Sequence, residues 1–217
     1  MIIFDLDGTL WDSSKPVVES WNMVIEKETG KDNYLTQDDI SNEMGRTMLQ
    51  IADDLFSLFE DKKYDIAHKC EVFENEYIRE NGAALYPGVR ETLDKLLAAG
   101  HKMAVVSNCQ EGYISAFIES MNMNKYFVDY EEWGRTGQDK AYNIRLIMDR
   151  NNEDTAVYVG DIQRDFDAAS EAGIPCIHAA YGFGEMEEPA GRIEKFEDLP
   201  EVLDDLGFGD ENLASDA

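Results

Sequence analysis

The chain opens Met1-Ile2-Ile3-Phe4-Asp5-Leu6-Asp7-Gly8-Thr9-Leu10, and these ten residues decide the architecture. Three large apolar residues in a row, closed by an acid, read as a short strand buried on both faces. Strands of that kind belong to parallel sheets with helices on each side. The same texture returns at residues 102–106, 126–128, 156–159 and 176–177. Between the later runs lie amphipathic stretches of helical length at 89–99, 112–121, 140–150 and 166–172. Strand and helix in alternation predict an α/β core built on a doubly wound parallel sheet.

The segment between the first two strands has a different texture. Residues 15–81 hold almost no strand-like run, and Leu49, Ala52, Leu55, Phe56 and Phe59 recur at helical spacing. Ser13 and Ser14 ahead of Pro16 read as a helix cap with proline in the first turn. Asn81-Gly82 and Tyr86-Pro87-Gly88 break the chain at the far end. The expectation is a smaller helical domain over 15–81, inserted after the first strand into a core of 1–14 and 82–206. The tail at 207–217 is acidic and rich in small residues, and is expected to fray.

Bulk composition narrows the partners. With 46 acidic against 19 basic residues, the net charge of -27 repels a phosphate backbone, so nucleic-acid binding through a basic patch is not expected. An enzyme for phosphate esters would need local cations to offset the same field. Cys70, Cys109 and Cys176 form no close pair and suit a reducing compartment. The apolar N-terminal run is too short for a signal peptide, and no run reaches membrane-spanning length. The expected protein is cytoplasmic, touches no membrane, and acts as a monomer or weak homodimer.

In an open parallel sheet, ligands sit beyond the carboxyl ends of the strands. The first strand delivers Asp5 and Asp7 there, the second Ser107 and Asn108, and the fourth Asp161 with Asp165 four residues on. Lys140 opens the helix after the third strand. A carboxylate can attack phosphorus and split one difficult displacement into two, and Asp5 stands at the strand tip. Two acids two residues apart in extended chain point to opposite sides, but Gly8 permits a turn. Asp7 can then protonate a leaving alcohol and later activate water. Mg²⁺ takes one or two carboxylates and keeps several waters. Asp5 and Asp161 suit it, with a backbone carbonyl from the 5–7 loop and Asp165 orienting its waters. Ser107 and the Asn108 N–H can donate to phosphate oxygens, and Lys140 supplies positive charge.

These motifs, in this order, resemble those of the haloacid dehalogenase (HAD)-like hydrolase superfamily. The likeness rests on Asp5-Leu6-Asp7-Gly8-Thr9-Leu10, Ser107 in Val-Val-Ser-Asn, Lys140, and Gly160-Asp161 with Asp165, and it spans essentially the whole chain. Tyr86-Pro87-Gly88-Val89 through Asn108 also resembles the phosphoglycolate-phosphatase-like branch. The resemblance implies an α/β core with a helical cap at 15–81, and a Mg²⁺-dependent phosphatase acting on phosphoglycolate or small sugar phosphates. It makes Asp5 the nucleophile and Asp7 the general acid/base, with the Asp7 carbonyl on Mg²⁺. Ser107 and Lys140 would bind phosphate, and Asp161 would hold the metal. Asp7 itself speaks against the dehalogenase and phosphonatase branches, which lack an acid there. Val17 stands about where the sugar-phosphate mutase branch has a histidine, which speaks against a mutase. A binding protein on a retired scaffold would be expected to have lost motif residues.

Other residues carry less. Gly45-Arg46 lies where related enzymes place substrate-selecting residues, so Arg46 can either reach an anionic substrate or stand solvated at a helix start. His68 and Cys70 sit two apart on a helix and do not share a face. Trp11, Trp21 and Cys109 read first as packing, and Asp12 as a helix-start residue.

Overall fold

The structure, a computed structural model, describes residues 1–209. Its centre is a six-stranded sheet, ordered β5-β4-β1-β6-β7-β8 and parallel throughout. The strands are β1 (Ile2–Phe4), β4 (Met103–Ser107), β5 (Phe127–Glu132), β6 (Val157–Gly160), β7 (Cys176–Ala179) and β8 (Gly191–Ile193). A two-residue antiparallel ribbon, β2 (Trp11–Asp12) with β3 (Ala84–Leu85), lies apart from it.

Alternation along each strand sorts the side chains into two cores. Ile2, Phe4, Met103, Val105, Val157 and Val159 face one layer of helices. That layer contains α5 (Val89–Ala98), α6 (Tyr113–Ser120) and α10 (Leu199–Asp205). Ile3, Ala104, Val106 and Tyr158 face the other, formed by α8 (Lys140–Asn151) and α9 (Gln163–Ala172). The short α7 (Trp133–Thr136) joins β5 to α8. Because both faces are covered, these strands lack the polar-apolar alternation of a half-exposed sheet.

Residues 14–81 form α1 (Ser14–Thr29), α2 (Gln37–Glu43), α3 (Met48–Leu55), a 3₁₀ turn at Ser57–Lys62, and α4 (Lys63–Asn81). They pack around a third core that includes Trp21, Ile25, Ile40, Phe56, Ile66 and Cys70. Local chemistry fixes the helix ends. Thr36 and Asp39 make a capping box at α2, and Gly30 closes α1 in the left-handed region at φ 74°. The expected serine cap of α1 works differently. Asp12 Oδ1 accepts from the Ser14 amide at 3.0 Å, which leaves the Ser13 hydroxyl free to donate elsewhere.

Several expected boundaries shift. β5 extends to Glu132, well beyond the expected 126–128, and α9 starts at Gln163 rather than 166. β8 and α10 were not expected, because Gly191-Arg192-Ile193 is too short and too polar to read as a strand. In the expected tail, the Phe208 amide donates to the Leu203 carbonyl at 2.8 Å, and residues 210–217 lie outside the described residues. Among the described residues, no helix is long and apolar enough to cross a membrane.

Candidate active site

β1 lies between β4 and β6, so the chain runs to one side of it and later crosses to the other. A crevice opens at such a reversal, and Asp5 follows directly on β1 there. Its amide donates to the Val159 carbonyl at 2.8 Å, so Asp5 still continues the sheet, and its side chain is buried. Beyond it the chain turns sharply. The amide of Leu10 donates to the Leu6 carbonyl at 2.9 Å, and that of Gly8 to the Trp11 carbonyl at 3.0 Å. Gly8 has φ 83°, and a Cβ there would stand 2.1 Å from Asp161 Oδ2. Only glycine fits both the backbone and the space.

The turn separates the two acids. Asp5 points to Lys140, which begins α8 under the Asp139 cap. The Lys140 ammonium donates to Asp5 Oδ1 at 2.9 Å and Asp165 Oδ1 at 2.6 Å, all three groups being buried. Asp165 also accepts from the amides of Asp161 (3.0 Å) and Ile162 (3.2 Å) through its other oxygen. Asp161 in turn accepts from the Phe183 amide at 2.7 Å. Asp7 turns the other way. Its Oδ1 accepts from Trp11 Nε1 (2.9 Å), the Tyr113 hydroxyl (2.8 Å) and the Ser13 hydroxyl.

Carboxylate oxygens of Asp5, Asp161 and Asp165 all lie within 4.8 Å of one another. Three buried carboxyl groups meet a single ammonium, which cannot balance all of them when they are ionised. Burial raises the Asp5 pKa to about 7, with Lys140 opposing and Asp165 adding to the rise. It raises Asp161 in the same direction, reinforced by Asp165 and Asp5. Burial pulls the Lys140 ammonium down, but Asp165 and Asp5 outweigh that and hold it firmly protonated. Asp7 is raised by burial as well, against its three hydrogen-bond donors. An excess of hard, buried oxygen donors is the donor set of a small divalent cation.

Asp7 also lines a cavity of about 60 Å³ between the core and the helical unit. Asn108, Cys109 and Tyr113 bound it from the core, and Trp21, Glu43, Arg46 and Glu74 from the helices. The Asn108 side-chain amide donates to the Gly45 carbonyl at 3.0 Å, joining the two halves across the cavity wall.

The structure brings Asp5, Lys140, Asp161 and Asp165 together, with Asp165 held directly by Lys140. Ser107 is buried at the end of β4, the strand beside β1. Of the two expectations for Arg46, a substrate contact or a solvated side chain, the structure shows neither directly, but an ion-paired arginine in the cavity wall. Its guanidinium pairs with Glu43 at 2.7 Å and with Asp54, so its charge is already taken. Trp11 and Trp21 do more than pack, since their indole N–H groups bind Asp7 and Glu74. Phe183 and Glu74 gave no signal in the sequence, because tertiary packing alone brings them to the site; Tyr113 was missed although it opens α6 as Lys140 opens α8.

Fold and site together define an α/β protein with clustered carboxylates and one buried lysine at the ends of parallel strands. Residues 2–179 match the haloacid dehalogenase-like hydrolase family, and the chain belongs to that family. A phosphoglycolate phosphatase of Aquifex aeolicus is 28% identical over 94% of this chain and 96% of its own length. One from Agrobacterium fabrum is 29% identical over 94% and 91%. These relatives mark the phosphatase branch of the family to which the chain belongs. Among solved structures, a predicted phosphoglycolate phosphatase from Haemophilus somnus superposes with TM-score 0.80 at 21% identity, over 93% of this chain and 96% of that one. CbbY from Rhodobacter sphaeroides, in complex with phosphate, gives 0.73 at 20% over 94% and 98%, a likeness of fold.

Proposed function

We propose that the chain is a Mg²⁺-dependent phosphomonoesterase that works through a phosphorylated Asp5. One observation carries the reading: Asp5, Asp161, Asp165 and Lys140 converge beyond the central strand, beside a cavity that Asp7 lines.

Asp5 Oδ attacks phosphorus while the bond to the leaving oxygen breaks, and Asp7 gives that oxygen its proton. Burial raises the Asp7 pKa against its three hydrogen-bond donors, the direction a proton donor needs. Asp7 then takes a proton from water as the water attacks the acyl phosphate, which returns Asp5 and releases phosphate. Lys140 holds the nucleophile in place and offsets charge on the transferring group, and Ser107 with the Asn108 N–H would hold phosphate oxygens. Asp5, Asp161 and the Asp7 carbonyl would hold Mg²⁺, with Asp165 beside them. Bound there, the ion supplies charge stabilisation for phosphoryl transfer. Residues 14–81 would serve as the cap that excludes water and selects the substrate. Val17 puts hydrocarbon on the wall beside Asp7 and offers no proton carrier, which favours hydrolysis over isomerisation. The relatives' names suggest phosphoglycolate as substrate, and sugar phosphates remain a second class.

Phosphate release from a panel of phosphate esters, with Mg²⁺ and with a chelator, tests the reading. Release should require the metal and vanish in Asp5→Asn, with the circular dichroism spectrum unchanged. Substantial turnover by Asp5→Asn would sink the mechanism.

A further inference from the structure

The cavity beside Asp7 must hold the leaving group, because the acid that protonates it forms part of the wall. This much rests on the phosphatase reading. Its charge inventory is unusual for a site meant to hold a second anion. Among the described residues, Arg46 is the one cationic residue that lines it, and it is bound by Glu43 and Asp54. Glu74 is buried in the same wall, accepting from Trp21 Nε1 at 2.5 Å. Burial holds its pKa up at about 8, with the Trp21 N–H opposing, so near neutrality the acid form predominates and supplies no positive charge. Arg164 faces Glu43 from the core but is exposed and does not line the cavity. A carboxylate or second phosphate placed here would meet Asp7, Glu43 and Glu74 with no free cation to receive it.

Two further features say what does fit. Much of the remaining wall is apolar, from Val17, Trp21, Ile40, Met44, Met48 and Ile51. One donor is unsatisfied: Nε of Arg46, a residue of the cavity wall, is buried with no hydrogen-bond partner among the described residues. A neutral oxygen would satisfy that N–H without adding charge. At about 60 Å³ the cavity has room for about four water-sized groups.

We propose that the true substrate is the monophosphate of a small, uncharged alcohol bearing one further oxygen acceptor, and that the cavity disfavours a leaving group with a second negative charge. The Arg46–Glu43–Asp54 cluster sets this preference by presenting a donor while withholding the charge.

A matched pair of esters tests it. Phosphoglycolate and 2-hydroxyethyl phosphate share a skeleton and differ in carrying a carboxylate or a hydroxymethyl group. The wild-type enzyme with Mg²⁺ should show at least tenfold higher kcat/KM for 2-hydroxyethyl phosphate. The double variant Glu43→Gln/Asp54→Asn releases the Arg46 charge and should move the ratio at least tenfold towards phosphoglycolate. Equal or better use of phosphoglycolate by the wild type overturns the proposal while leaving the phosphatase reading intact. No phosphate from either ester, or from any in the wider panel, overturns both. The wild-type comparison needs no variant, so a misfolded double mutant would not rescue the idea.

Discussion

Asp7 and Glu74 show how burial and partners give neighbouring acids different work. Asp7 sits in a fork of three donors at the cavity wall. Asp7→Asn should lower kcat for alkyl phosphates by about a hundred- to ten-thousandfold. In the phosphorylation step the loss should be much smaller for an aryl phosphate, whose phenolate leaves without a proton, while the water-activating step slows equally for both, so burst kinetics on the two series check the assignment. Glu74 makes a prediction about stability. Its pKa rises from 4.5 in the unfolded chain to about 8 in the fold, so between those values the native state binds the extra proton. Its contribution is therefore full below about pH 4.5 and lost as pH rises to about 8. With each unit worth about 1.4 kcal/mol, the loss is on the order of a few kcal/mol. Glu74→Gln should flatten the fall in Tm over that window, as thermal melts across pH would register; an unchanged slope would clear Glu74 of the effect. Asp5, Lys140 and Asp161 were legible because each directly ends a strand or opens a helix, where sequence position fixes spatial position. Glu74 lies in the middle of α4, and only the docking of that helix brings it to Asp7.

Among the elements, the buried strands were legible because both their faces are covered, which leaves continuous apolar runs. The β2–β3 ribbon was not, since Trp11-Asp12 and Ala84-Leu85 carry no period and pair only through the fold. The turn after β1 tolerates little change. Gly8→Ala forces a Cβ into the Asp161 carboxylate and strains a left-handed backbone, the strain alone costing about 1–2 kcal/mol. Activity should fall to background with a lowered Tm. Wild-type kinetics in that variant would show that the turn can relax. The Asn108–Gly45 bridge is subtler. Asn108→Ala keeps the backbone N–H but deletes one of several links between core and helices. A hydrogen bond of this kind contributes about 0.5–1.5 kcal/mol net, so KM should rise by about twofold to tenfold with kcat less affected. Titrations over ester concentration would separate the two.

The molecule as a whole carries a field that opposes its proposed substrate. With a net charge of -27, it repels a phosphate dianion at distance, and only the local site reverses that. Added salt screens the long-range part over about 10 Å at 0.1 M. Accordingly kcat/KM should rise as an inert salt goes from low to physiological strength at fixed Mg²⁺, and a fall would place the dominant electrostatics inside the site. The ribbon has a different consequence. Chain enters the helical unit at Asp12 and leaves it at Ala84, and these two residues are paired partners. A short linker would span that gap, so the whole insert is a cassette between two abutting ends. Evolution, or a protein engineer, can exchange one cassette for another, or splice it out, without rethreading the sheet that bears Asp5. Changing what such an enzyme hydrolyses need not disturb how it does so.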